Sequence, residues 1–442
     1  MNIFRLILII TSVVAVTFNS VSMTNGLLLT LATILALIFT KRYPFHENYA
    51  KYLMFFCIWM SAIAMPAYHL VEPIIKHYEP ITQYWLNKLL EFGVPLYLIV
   101  TIFLYISGIL IKGKEYHTDI TYVPQPIPQK TINNVIIGSI FLSLFCFSIG
   151  LGRMGSEAVR LPFHLSGIIN LFRISMLPIL FAVAVENFIL RGKQMPKKSW
   201  LLFIVWCVVE IFAWLSKAVL VSHLQVALLL LYIYYRPPLK KVIRTLAPLA
   251  AAFLFMYPII EGMRSHDRGE SLLETFQSAK KEADENDEHN GLLTPLNRTF
   301  LYDAQYVQDY RYISDDIFDF SKFPLMVAWG GAAGFQTFAI DGYPPEAHHS
   351  SGTCGIMDPL LHGGRGFLYI VMFILSLFAA YIDKNIAKGY ISIFAILFLM
   401  LYGFLSTSNV SRLYDSTGLQ GIFVYLCCVY IAYKYNFKNK IQ

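Results

Sequence analysis

Long apolar runs separated by short polar stretches recur along nearly the whole chain. Most approach the roughly 17 to 25 residues that a helix needs to cross a hydrocarbon core of about 30 Å. Runs at 6–22, 26–40, 52–71, 90–111, 134–152, 166–190, 200–216, 219–235, 246–262, 366–382, 390–407 and 419–434 predict about twelve membrane-spanning helices. The first run imitates the apolar part of a signal peptide. No small-residue cleavage site follows it, however, and a second run begins almost at once, so a retained first helix is expected. The predicted fold class is an all-α polytopic integral membrane protein.

All connections are fairly short except the segment from Met263 to Arg365, and loops of that length inside compact folds usually carry function. The chain therefore reads as spans over 1–262, a long loop over 263–365 and further spans with a polar tail over 366–442. The loop is acidic at KKEADENDEHN (280–290) and aromatic at NRTFLYDAQYVQDYRYI (297–313). A helix in the second stretch would bring Arg298, Tyr302, Tyr306 and Tyr310 to one face, where simple packing already explains the tyrosines. The apolar piece PLMVAWGGAAGFQTFAI (324–340) tempts a further crossing. That would invert the side on which every later lysine falls, so a re-entrant or interfacial segment broken at Gly330 and Gly331 is expected instead.

Composition agrees with the pattern. The 442 residues are 56% hydrophobic and only 14% charged, against roughly 25% charged in soluble domains. The net charge of +7 is not a nucleic-acid footprint, because its basic residues are sorted by side. Lys41, Arg42 and Lys51, then Lys112, Lys114 and Lys130, then Arg191, Lys193, Lys197 and Lys198, then Arg236, Lys240, Lys241 and Arg244, then Lys384 and Lys388, and finally Lys434, Lys438 and Lys440 fall in alternate connections. The positive-inside rule makes that side cytoplasmic, with both termini inside and the long loop outside. Five of the six cysteines lie in spans as small apolar fillers, and Cys354 alone offers no disulfide framework. No internal repeat, phosphate-binding glycine loop, CxxC or HExxH motif is present.

The outer side is rich in arginine where the inner side is rich in lysine: Arg153, Arg160, Arg264, Arg268, Arg298, Arg311, Arg365 and Arg412. Outer arginines oppose the topological bias, and their planar fork suits bidentate binding of phosphate or carboxylate. Pairing with nearby acids or lipid headgroups is the plainer reading for any one of them. Arg173, Glu210, Lys217 and His223 fall in the outer halves of their spans and point to a polar cavity there. Mutual pairing that only fixes helix packing, with Glu210 and Lys217 as one pair, is the alternative. Glu186, near the inner end of its span, reads as interfacial.

The loop returns to the membrane through EAHHSSGTCGIMDPLLHGGRGF (346–367). A neutral histidine there, His348 or His349, can take a proton from a substrate hydroxyl, although either also fits a helix cap or a surface position. Gly352, Gly355, Gly363, Gly364 and Gly366 allow close approach of backbone to a ligand. A metal held by His348, His349 and Asp358 would match no standard zinc spacing. Neither metal nor cofactor is expected.

With EGMRSHDRG opening the loop, LNRTFLYD within it and HHSSGT before a glycine-rich return, the chain resembles the Wzy-type polymerases of lipid-linked oligosaccharide repeat units over roughly residues 200–420. O-antigen ligases, related to them in fold, have a similar histidine-bearing return. The resemblance implies a C-type membrane glycosyltransferase of the bacterial inner membrane. Such an enzyme moves a growing glycan from undecaprenyl pyrophosphate to a lipid-linked repeat unit at the periplasmic face, in O-antigen or related polysaccharide synthesis. It implies that Lys217 corresponds to the family's basic residue, Arg264 and Arg298 to the loop arginines, and His349 with Ser350 to the His-Ser of the return. His348 has no counterpart.

Pyrophosphate is already a good leaving group, so such a reaction needs cations on the developing charge and a base for the acceptor hydroxyl. The candidates to hold the pyrophosphate and substrate are Arg173, Lys217, Arg264, Arg268, Arg298, Arg311, Arg365 and Arg412. Base candidates are His349 first, then Asp358 or Glu346, with His348 beside them. Expected partners are undecaprenyl-pyrophosphate-linked oligosaccharides and the lipid bilayer, with a Wzz-type chain-length regulator as a candidate protein partner and no nucleic acid. An O-antigen ligase with the same donor is the nearest alternative. A transporter or flippase of lipid-linked sugars would instead carry charges through the full membrane depth, and a membrane acyltransferase is a weaker third reading.

Overall fold

The computed structural model describes residues 2–18, 22–68, 82–111, 124–151, 161–162, 165–214, 218–238, 240–242, 244, 247, 306, 309–329, 331–340, 342, 355–406, 410–414 and 416–438. Among these the chain is all-helical, with no strand. The long helices are α1 (Asn2–Phe18), α2 (Met23–Arg42), α3 (Tyr49–Tyr68), α4 (Gln83–Leu110), α5 (Gln129–Ser148), α6 (Leu165–Leu190), α7 (Lys197–Trp214), α8 (Ala218–Tyr235), α9 (Met357–Ala387), α10 (Ile391–Ser406) and α11 (Ser416–Ala432). Each falls on an expected apolar run, whereas the run at 246–262 lies almost wholly outside the described residues.

Six helices, namely α2 to α6 and α9, are long and apolar enough to cross a membrane. Six is the number among the described residues, and the expected run at 246–262 lies almost wholly outside them. At 1.5 Å per residue the 17-residue α1 and the 16-residue α10 span about 24–26 Å, short of a core of about 30 Å. Two boundaries also moved outward. Helix α4 starts at Gln83 rather than 90, and α9 at Met357 rather than 366, because polar first turns join the helices although they lower the local hydropathy.

The chain forms two compact units, one of Met1–His117, Leu292–Gly389 and Leu397–Leu419, the other of Thr118–Gly291, Tyr390–Ile396 and Gln420–Gln442. This grouping by packing is not the linear partition at 262 and 365, since α9 packs on α3 and α4 from before the long loop.

In the first unit α2 and α9 both pack on α4. Lipid supplies no hydrophobic drive between helices, so close van der Waals contact must hold them, which favours small residues at crossings. Gly93 of α4 is such a residue: a Cβ there would stand 2.6 Å from the carbonyl oxygen of Ala62, in the five-residue π-helical stretch Met60–Ala64 of α3. At one end of this unit the Asp383 carboxylate of α9 accepts the backbone N–H groups of Ala50 (2.8 Å) and Lys51 (3.1 Å), capping α3. The Lys51 ammonium lies 4.5 Å from the Tyr43 ring centre.

In the second unit α5 packs on α7 and α8 on α6, with Phe181 and Phe203 stacked at 3.8 Å. Glu186, expected at the interface, is fully buried. It accepts the Tyr234 hydroxyl (2.8 Å), the Ser392 N–H (3.0 Å) and the Asn436 amide (2.8 Å). A buried carboxylate is tolerable when donors satisfy it in this way.

The piece at 324–340 does not form one continuous helix. A short helix Phe323–Ala328 ends before Gly331, whose φ of +108° suits only glycine, and Ala332–Phe335 and the π-helical Gln336–Ile340 follow. Ala332, Phe335, Gln336 and Thr337 are buried.

Candidate functional site

Helix α9 begins where its sequence permits. Asp358 places a negative charge in the first turn, and Pro359 sits where a helix has no use for an N–H. Gly355 leads in against α10: its N–H donates to the Leu405 carbonyl (3.2 Å), and a Cβ there would stand 2.3 Å from the Phe404 oxygen.

Asp358, fully buried, accepts the Ser411 hydroxyl (2.6 Å) and the Ser411 N–H (3.1 Å). Ser411 Oγ in turn accepts the Ala332 N–H at 2.8 Å. One helical turn beyond Asp358, His362 places Nδ1 2.6 Å from the Asp358 carbonyl and 3.2 Å from its carboxylate. Nδ1 thus faces two acceptors and carries a ring proton. Nε2 lies 2.7 Å from the Tyr414 hydroxyl, a hydrogen bond that the ring accepts when it is neutral. Phe323 packs on both rings, with centres 5.6 Å and 6.0 Å away. Carboxylate, imidazole and phenol form one hydrogen-bonded chain in which a proton can move from Tyr414 to His362 while Asp358 holds the ring.

Just past His362 the helix breaks at Gly363 and Gly364, the latter at φ +78°. The segment Asp316–Phe320 fills the break. The Asp319 N–H donates to the Gly363 carbonyl (3.2 Å), and the Gly366 N–H donates to the Ile317 carbonyl (2.7 Å). A Cβ on Gly364 would meet the Ile317 oxygen at 3.0 Å. The space a side chain would fill is taken at Gly364 by the backbone of 316–319, at Gly363 by the Phe320 and Phe367 side chains, at Gly366 by those of Phe318 and Ile317, and at Gly355 by α10. Gly352 lies outside the described residues.

Arg365 follows the break. Its guanidinium faces the Phe92 ring (5.9 Å), and Nη2 is 3.8 Å from the exposed carboxylate of Asp315. The side chain is 40% exposed, yet Nε is buried and makes no hydrogen bond among the described residues. Tyr306 is buried against Phe92 (5.3 Å) and Tyr310, and Tyr310 meets Trp85 edge-on. Two members of the expected tyrosine stripe thus pack on α4.

In the second unit Arg173, in the π-helical turn Phe172–Met176, is fully buried and grips Glu210 with two hydrogen bonds of 2.9 Å. Ser143 donates to the same carboxylate, and Trp206 Nε1 donates to Ser143 Oγ. His223 stacks on Trp206 at 4.6 Å. Arg173, Glu210 and His223, expected to line a polar cavity, are all fully buried. Glu210 pairs with Arg173, and its expected partner Lys217 lies outside the described residues.

Of the sequence-derived candidates, Asp358, Arg311, Arg365 and Arg412 fall in the first unit and Arg173 in the second. Asp358 is fully buried, with its carboxylate held by Ser411 and beside His362. Arg311 is exposed beside the Tyr312 ring, and Arg412 reaches toward Gly403 of α10. His348, His349, Glu346, Lys217, Arg264, Arg268 and Arg298 lie outside the described residues. His362, Ser411 and Tyr414 were missed. The Asp358–His362 spacing of four was the readable signal, since it stacks two side chains on one helix face.

Fold and site define the class as an all-α protein with candidate membrane-spanning helices and a buried Asp–His–Tyr chain at the start of a broken helix. Comparison with protein-family models, curated proteins and solved structures finds no match in any of the three.

Proposed function

We propose that the protein is a Wzy-type repeat-unit polymerase. In this reading the acceptor sugar hydroxyl of a lipid-linked repeat unit attacks the anomeric carbon of a glycan held on undecaprenyl pyrophosphate. The bond from that carbon to the pyrophosphate oxygen breaks, the charge leaves on the lipid pyrophosphate, and the hydroxyl proton passes to a base. The active site faces the periplasm of a bacterial inner membrane, with both termini cytoplasmic.

What carries the reading is the pairing, on one helix, of a half-exposed guanidinium with an unused buried N–H and a carboxylate–imidazole–phenol chain one turn away. The first suits a developing phosphate charge, and the second suits orienting the acceptor hydroxyl toward a base. The loop motifs containing Arg264, Arg298 and His349 add to it through their resemblance to the family. His349 remains the direct base, while Asp358 and His362 act through Tyr414 as positioning residues.

The test is reconstitution in nanodiscs with an authentic undecaprenyl-pyrophosphate repeat unit, comparing wild type with Arg365→Ala and His349→Ala. The expected result is a ladder of lengthened glycans from wild type that both folded variants fail to make. Transfer to lipid A core instead would make the protein a ligase, and no product from the authentic donor would end the glycosyltransferase reading.

A further inference from the structure

The segment from Ile317 to Trp329 turns its apolar side chains outward. Ile317, Phe318, Phe320, Leu325, Val327 and Trp329 are all exposed, Ile317 to 68% and Phe318 to 52%. Single exposed apolar residues are ordinary, but an aromatic-rich contiguous set marks an interaction surface.

Two observations say what covers it. The first is continuity with α9: a Cβ on Gly366 would stand 2.6 Å from the Phe318 ring and 2.8 Å from Ile317 Cγ2, so these side chains lie over the helix at that position. Gly366, Ile370 and Ile374 follow at four-residue spacing on one face, and Ile370 and Ile374 are exposed to 48% and 56%. The outward apolar stripe of a candidate membrane-spanning helix therefore continues without a break onto the loop segment.

The second is the layout of the segment's polar groups. Lys322 pairs with Asp319 at 3.0 Å, and the Ser321 N–H also bonds Asp319, so the segment's charges satisfy one another. Met326, on the opposite side of the short helix Phe323–Ala328, is fully buried. Aromatic residues flanked by a basic side chain, over an anchored inner face, have the makeup of a segment seated at headgroup level.

We infer that Ile317–Trp329 is a lipid-contact lip, seated in the boundary between headgroups and acyl chains of one leaflet, with bilayer lipid as its partner. Its outer face meets the lipid, and Phe323 of the same segment, itself 37% exposed, packs on His362 and Tyr414. The lip is thus the wall between bilayer and the buried proton chain, whatever reaction that chain serves.

The test uses the full chain in vesicles of phosphatidylethanolamine and phosphatidylglycerol, with and without lipids brominated on the upper part of one acyl chain. Subtracting the emission of Trp329→Phe from wild type isolates Trp329 among the six tryptophans. Loss of that component with brominated lipid, and its survival in aqueous iodide, is the expected result. Quenching by iodide alone would put the lip in water, and quenching by neither would show that protein covers it; either overturns the inference. Phe320→Trp in the Trp329→Phe background repeats the measurement at a second site.

Discussion

Helix α9 holds a buried aspartate near each end, and the two have opposite surroundings. Asp383 meets two backbone N–H groups and a lysine, and Asp358 meets a serine hydroxyl, a backbone N–H and an imidazole that continues to a phenol. Backbone donors are fixed and never give up their protons, so Asp383 is a cap that ties α9 to α3. Hydroxyl, imidazole and phenol exchange protons, so Asp358 anchors a chain that can do chemistry. Burial alone does not separate the two carboxylates; the kind of donor each accepts does.

Glu210 sets the upper limit of what a buried carboxylate contributes to stability. Glu210→Ala strands the fully buried Arg173, and denaturation in detergent should show a loss of about 3–5 kcal/mol. For the proton chain the readout is turnover: under the proposed polymerase function, Tyr414→Phe should lower glycan transfer by about 10²-fold or more while costing only about 1 kcal/mol of stability. Equal losses in turnover and folding would reduce the chain to a packing device.

Asp383→Ala should reverse that pattern, losing about 1–3 kcal/mol through two unsatisfied N–H groups with transfer per folded molecule kept. Gly364→Ala should cost about 1–2 kcal/mol, because a side chain at φ +78° is strained and its Cβ meets the Ile317 carbonyl.

The smallest effect is the pH response of the lip. Hydrogen bonds from Ser321 and Lys322 hold the Asp319 carboxyl below its usual range. A depressed folded value means that its contribution is present above the unfolded pKa of about 3.9 and fades as pH falls below it. Segment mobility in wild type should therefore rise on acidification below about pH 4, and Asp319→Asn should lack that response.

The helices were readable because apolar runs long enough for a membrane have few alternatives, and every described long helix lies on one. Their starts were less readable. MDPLLH is helical through its acidic first turn and tolerated proline, neither of which hydropathy registers. Asp358 and Arg365 stood out by charge next to a span. Ser411 and Tyr414 did not, because they reach Asp358 and His362 from more than fifty residues away in sequence. The glycines were noticed for their conformational freedom and assigned to a ligand, when their neighbour is a segment almost as far off in the chain.

The break at Gly363–Gly364 also makes a local gauge. An amide inside an ordinary helix exchanges its hydrogen when the helix frays, but the Gly366 N–H is held by the Ile317 carbonyl of a different segment. Its exchange rate therefore measures the free energy of docking the lip, separately from the stability of the helix that carries it.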